Sequence, residues 1–365
     1  MKNCIVSILI VVSSISNSMI NAQTSKETQK EEFVIASWIS PKEGEFKQEE
    51  WKEKVSYYDS LGISEILIEV KHLNNDNLKD IVAIAKDKNM KVHAWMWTFN
   101  RPGDTIANKH PEWYSVNRNK KNSLEYRPYV DHYQWLSPFH PGARDHIKNN
   151  VRNLMEVEGL ASVHLDFVRY CDVILPLGIQ PKYNLVQDHE MAEYDFGYHP
   201  LAIKKFKELF GKDPLEMEHP EISDEWRQFR YNAISSLVNE VVEMAHKEDV
   251  KITAAVFPFP ELAKHLVRQP WDDFNLDAAY PMIYNNFYNQ GVNWVGFATK
   301  QGVNVGKFPI YSGLFTPAFN ENPDDLEKAI LIAKENGAKG ISLFTADLLT
   351  EEQKAVMVKL KINKY

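Results

Sequence analysis

The chain is 365 residues long, 44% hydrophobic, 12% aromatic and 25% charged, with a formal net charge of -8. That length buries a large core and allows one or two domains, while the acidic balance argues against nucleic acid as a partner. Two cysteines, Cys4 and Cys171, cannot build a disulfide framework.

Residues 1–22 read as a secretory signal peptide. Lys2 precedes an apolar run from Ile5 to Ile15, and Asn21-Ala22-Gln23 supplies a small residue for cleavage. The run is short for a membrane span, and Cys4 lies ahead of it, where a lipid-anchor cysteine would not sit. The expectation is therefore export to the periplasm or beyond, with no membrane anchor and with Cys171 alone in the mature chain. Residues 23–32 are polar and read as a flexible leader.

From residue 33 onward, short β-like runs alternate with amphipathic helical runs. Strands are expected at 33–40, 65–72, 91–99, 162–170, 251–259, 277–285, 308–315 and 340–347. Helices are expected at 49–61, 77–88, 142–157, 201–210, 225–247, 260–274, 292–301, 324–335 and 350–361. Eight strands separated by helices predict a single (β/α)8 TIM barrel over 33–365. An open doubly wound sheet is the alternative, but no glycine-rich dinucleotide loop follows the first strand. The connections 100–140 and 171–199, after strands 3 and 4, are far longer than usual βα loops and predict a wall or lid.

Three strands carry ionisable groups on the face opposite their apolar one. In the fourth, His164 and Asp166 oppose Val163, Leu165 and Phe167. In the second, Glu69 and Lys71 oppose Ile66, Ile68 and Val70; in the third, His93, Trp95 and Trp97 oppose Val92, Ala94 and Met96. Buried charge is costly unless paired or used, so a shared interior lined this way predicts an active site at the strands' C-terminal ends.

The motif His164-Leu165-Asp166 with Arg169-Tyr170, together with His93-Ala94-Trp95, resembles the bacterial glycoside-hydrolase-like family 10 proteins. Family members often carry proline after the Arg-Tyr pair, where this chain has Cys171. The resemblance implies an exported TIM barrel acting in polysaccharide breakdown.

The residue inventory itself fits β-elimination of water from a uronic sugar. A cation neutralises the sugar carboxylate, a base takes the proton beside it, and an acid protonates the departing oxygen. Asp166, His164, Lys71, His93 and Tyr280 are the expected catalytic groups. Glu69, Trp95, Trp97, Arg127, His132, Arg169, Tyr170 and Tyr284 are the expected substrate contacts, the aromatics by stacking on sugar rings and the arginines by gripping a carboxylate. The alternative is a glycoside hydrolase using Asp166 as one of two carboxylates, with the second sought among Glu69, Asp131 and Asp347. Glu69 is expected to be neutralised by Lys71. A non-catalytic sugar-binding protein is the third reading, and a buried ion pair the bland one for Asp166 and His164. His132 and Asp131, with His93, His164 and Asp166, match no known ligand spacing, so neither a metal nor another cofactor is expected. The expected partner is an acidic oligosaccharide, attacked at a chain end.

Overall fold

A computed structural model describes residues 33–362 except Glu43 and Glu45; the expected signal peptide and leader lie outside the described residues. Eight strands form one parallel sheet: β1 (Val34–Ile39), β2 (Glu65–Glu69), β3 (Lys91–Trp97), β4 (Ser162–Asp166), β5 (Ile252–Val256), β6 (Ala278–Pro281), β7 (Tyr311–Phe315) and β8 (Gly340–Phe344). Their order is β6-β5-β4-β3-β2-β1-β8-β7. The ring closes where β6 meets β7, through the isolated bridges Ala279–Ile310 and Met282–Gly313. That seam is thin because Pro281 and Pro309 have no amide proton to donate; Ala279 instead donates to the Pro309 carbonyl at 3.0 Å and Ile283 to the Gly313 carbonyl at 2.9 Å. The expected barrel is therefore the observed fold.

The helices are α1 (Gln48–Ser60), α2 (Asn75–Lys86), α3 (Pro141–Met155), α4 (Pro200–Phe210), α5 (Asp224–His246), α6 (Pro260–Val267), α7 (Trp294–Val305), α8 (Asp324–Glu335) and α9 (Glu351–Ile362). Outward strand residues such as Ile66, Ile68, Val163 and Leu165 join the large core beneath them. Inward residues form a second cluster of Ala36, Trp38, Leu67, Trp95, Ala255, Ala278 and Tyr280. The barrel is thus filled rather than hollow.

Trp38 fits inside only because β7 offers a glycine. A Cβ on Gly313 would lie 2.8 Å from the Pro281 carbonyl oxygen and 3.0 Å from the Trp38 ring. Gly313→Ala should therefore lower stability by about 1–3 kcal/mol through overpacking, read as a lower urea midpoint; an unchanged midpoint would mean the seam yields freely.

Most expected strands run too far at their C-terminal ends. The fourth stops at Asp166 because Phe167 adopts φ 48°, a left-handed turn that bends the chain off the barrel. The apolar rhythm continues past it because the following loop is itself buried, as at Val168 and Tyr170. The seventh begins only at Tyr311, beyond Pro309. The expected helix 260–274 ends at Val267, where Arg268 turns left-handed ahead of Pro270.

The long loops after β3 and β4 are ordered against each other. They bridge through Asn117 and Phe196. Tyr133 donates its hydroxyl to Asp172 at 2.8 Å, and Gln187 donates its side-chain amide to the Tyr129 hydroxyl at 2.8 Å. Buried ion pairs Arg230–Asp195, at 2.5 Å, and Arg268–Glu190 pin the second loop to α5 and to the end of α6.

Candidate active site

Closed barrels stagger their strands, so inward side chains meet partners displaced along the neighbouring strand. The register pairs Glu65 with Lys91 and Trp95 with His164. Yet Glu65 also reaches His93, and Trp95 bonds Asp166, each one inward position further on. The same stagger across β2, β3 and β4 lifts Glu69 to the level of Asp166. Two carboxylates therefore stand at the C-terminal mouth, flanking the indole of Trp95.

Asp166 is 8% exposed. Its Oδ2 accepts from Trp95 Nε1 at 3.0 Å and its Oδ1 from the Phe167 amide at 2.6 Å. The left-handed turn at Phe167 thus coincides with an amide aimed at the carboxylate, strain of the kind that gathers at functional sites. Burial pushes the carboxyl up to about 6 and the nearby Glu69 adds to the rise, against the Phe167 amide, Arg169 and the Trp95 N–H. Asp166 thus holds a proton at mildly acidic pH, as a general acid requires.

Glu69 is also 8% exposed, and no hydrogen bond or ion pair engages its carboxylate among the described residues. The expected neutralisation by Lys71 does not occur. Beyond Glu69 the chain turns, and the exposed Lys71 ammonium lies over the Trp97 ring, 5.5 Å from its centroid. The exposed His132 meets the same indole, with ring centroids 5.8 Å apart. Burial and Lys71 hold the His132 pKa below its usual value. Tyr284 completes the mouth: it packs on Phe344 at 5.8 Å, and burial together with the Asp166 charge drives its phenol pKa well up. Glu69, Lys71, Trp95 and Trp97 line a cleft of about 860 Å³ that opens over the loops after β2 and β3. Asp166 is joined to this cleft through its hydrogen bond from Trp95, which lines it.

Three expected catalytic groups are elsewhere. His164, His93 and Tyr280 lie deeper in the barrel, the two histidines engaged in one chain of hydrogen bonds and Tyr280 packed against their rings. Trp38 Nε1 donates to His164 Nε2 at 3.1 Å. An indole N–H can only donate, so the His164 proton sits on Nδ1 and goes to the Thr253 hydroxyl at 2.8 Å. Thr253 then serves Ser162 at 3.0 Å, Ser162 serves His93 Nδ1 at 2.7 Å, and His93 Nε2 meets Glu65 at 3.2 Å. Lys91 closes the chain on Glu65 at 2.8 Å, at the barrel's N-terminal rim. Against its burial, Glu65 is brought down to about 2 by His93 and Lys91, while burial, with the Glu65 charge beside it, drives the Tyr280 phenol pKa well up. Because an indole ends the chain, no proton passes along it to the mouth. These groups satisfy each other inside the core and leave the catalytic set.

Three expected substrate contacts are also spent. Arg169 is buried, paired with Asp172 at 3.2 Å and packed over Trp135, Phe167 and Phe257. Tyr170 is buried and donates to the Arg230 carbonyl at 3.4 Å. Arg127 is exposed and braces its own loop through the carbonyls of Leu124 and Asp131. Of the other carboxylates weighed, Asp347 accepts from Tyr58 on α1 at 2.7 Å and Asp131 is exposed on the loop. Among the described residues no three His, Cys, Asp or Glu side chains cluster to hold a metal, and no helix is long and apolar enough to cross a membrane.

The cleft also uses residues the sequence did not single out: Asn100, Arg101 and Asp104 after β3, and Asn150 on α3. Asn100 and Arg101 sit in the long loop just past a strand end, a position that fold logic favours. Asn150 reads as ordinary helix surface.

No curated protein matches the sequence. The fold is shared with solved structures of low identity. A beta-galactosidase from the psychrophilic Marinomonas ef1 is 11% identical with a TM-score of 0.62, over 90% of this chain and 59% of that one. A cold-adapted beta-galactosidase from Rahnella sp. R3 is 11% identical with a TM-score of 0.62, over 92% and 56%. A GH36 alpha-galactosidase from Geobacillus stearothermophilus is 11% identical with a TM-score of 0.51, over 91% and 41%. The chain thus spans little more than half the length of the beta-galactosidases. Residues 51–175, running from α1 through β4 into the following loop, match the glycosyl hydrolase-like 10 family, the one the His93 and His164–Tyr170 motifs resemble.

Proposed function

We propose that this protein is a carbohydrate-active enzyme that hydrolyses glycosidic bonds in acidic oligosaccharides. The observation that carries this is the pair of mouth carboxylates in unlike states: Asp166 raised to about 6 by burial, Glu69 open and unpartnered. Asp166 donates its proton to the glycosidic oxygen, while Glu69, as carboxylate, attacks the sugar or activates water. Trp95 and Trp97 offer ring faces for stacking. Lys71 puts a cation beside Trp97, with the His132 imidazole next to it, which supports a substrate bearing carboxylate or sulfate. Export, expected from residues 1–22, is the setting in which such polymers are met.

Elimination is the second reading, favoured by one observation: Lys71 has no carboxylate partner among the described residues and stands at the mouth beside the exposed His132. There Lys71 neutralises a uronate, His132 takes the adjacent proton and Asp166 protonates the departing group. The burial of His93, His164 and Tyr280 removes much of what first favoured this route.

The test is incubation with uronate-bearing, sulfated and neutral oligosaccharides, followed by mass spectrometry. Chain splitting with gain of one water is the expected result. Loss of water from an intact chain, or splitting with new unsaturation, would replace hydrolysis by elimination, and no change in any glycan would overturn both readings.

A further inference from the structure

The cleft is larger than the barrel mouth needs. At about 860 Å³ it approaches the upper end of the roughly 300–1,000 Å³ that holds a drug-sized ligand. Glu69, Lys71, Trp95 and Trp97 belong to the mouth. The remainder runs outward between the loops after β2 and β3 to α3, along Asn74, Asn75, Arg101, Asp104, Asn150 and Asn153.

This arm is braced before any ligand arrives. Arg101 holds Asp104 through Nε at 2.9 Å and Nη2 at 2.8 Å, and donates through Nη1 to the Trp97 carbonyl at 2.9 Å. Asp104 also accepts the Ala107 amide at 3.0 Å and bonds His146 at 2.7 Å, so the charges here neutralise one another. Asn75 on α2 donates to the Asn153 carbonyl on α3 at 2.8 Å, tying the two helices together. What remains facing the cleft is chiefly side-chain amide, partly engaged. Asn74 accepts from the Asn77 amide at 2.8 Å and Asn150 bonds His146 at 3.3 Å, which leaves each some capacity for a ligand. The Asn153 side chain has no hydrogen-bond partner among the described residues. A rigid polar trough lined by amides matches the hydroxyls of a sugar ring and offers little to an apolar ligand.

We infer that this arm is a second sugar subsite, outside the barrel, which holds the ring next to the one at the mouth. The inference rests on the carbohydrate reading above and adds a direction: the bound chain leaves the mouth across α2 and α3. Longer oligosaccharides should bind more tightly than single rings, with the gain seated in the arm.

The test uses the full chain carrying Asp166→Asn, so that bound glycan persists, on an array of neutral, uronate-bearing and sulfated glycans of graded length. Chains of two or more rings should bind about tenfold more tightly than single rings, the effect of two or three added hydrogen bonds. Adding Asn153→Tyr, which fills the arm from an exposed position, should remove that gain and leave single-ring binding unchanged; Asn150→Ala should reduce it. A gain that survives both variants, or no gain in the parent, overturns the subsite while leaving the carbohydrate reading intact. Failure to bind any glycan overturns both.

Discussion

Asp166→Asn should lower kcat/KM by about 10²–10⁴-fold on whichever glycan is turned over, the usual worth of a positioned general acid. The pH dependence identifies the role more sharply than the loss does. A general acid works only while protonated, and burial puts this carboxyl at about 6. In the parent enzyme kcat/KM should therefore fall about tenfold per pH unit above that value. The residual activity of Asp166→Asn should lack that decline. Asparagine keeps the shape of the carboxyl but only one acceptor oxygen for the two donors, Trp95 Nε1 and the Phe167 amide. Some stability should therefore be lost, about 1–3 kcal/mol, while substrate binding should change little. An alkaline limb that persists in the variant would assign the titration to another group and remove Asp166 from the acid role. Glu69→Gln is the companion variant: it should cost as much activity while leaving the alkaline limb in place.

The comparison of these two acids shows what sequence alone can and cannot locate. Strand alternation correctly turned Glu69, His93, Trp95, His164 and Asp166 toward the barrel interior, because the period of two is intrinsic to the extended backbone. It does not say how deep each lies along the axis. His93 and His164 were grouped with Asp166 on direction alone, whereas one inward step down a strand separates an open mouth from a dry core. Depth depends on stagger between strands, a property of the closed sheet. Arg169 failed for a different reason: the turn at Phe167 carries it off β4, where Asp172 claims its guanidinium. Lys71 fell on the expected side, but the turn after Glu69 moved its charge from the carboxylate to the Trp97 face. The outer arm of the cleft joins residues from β3's loop and α3 that are about fifty positions apart, and no local pattern marks that encounter.

The depth of His93 and His164 carries its own expected result. Thr253→Val preserves shape but removes the hydroxyl that accepts from His164 and serves Ser162. It should destabilise the fold by about 1–3 kcal/mol, the cost of leaving a buried donor without a partner. Activity should stay within about twofold of the parent, because hydrogen-bond truncation in the core removes no transition-state contact. Burial, with a smaller push from His93, holds the His164 pKa well below its usual value. The sign follows directly: below about pH 6.5 the unfolded chain takes up a proton that the folded one refuses, so stability is lost as pH falls, at up to about 1.4 kcal/mol per pH unit. His140 and His199, whose pKa values burial also lowers, act in the same direction. Asp166 opposes them, since its raised carboxyl costs the fold least when protonated and returns stability between about pH 6 and 4. Urea unfolding of Asp166→Asn between pH 7.5 and 5 removes that opposition and should show the steeper acid loss. A Thr253→Val protein as stable as its parent but inactive would return His164 to the chemistry and place the catalytic centre one layer deeper in the barrel.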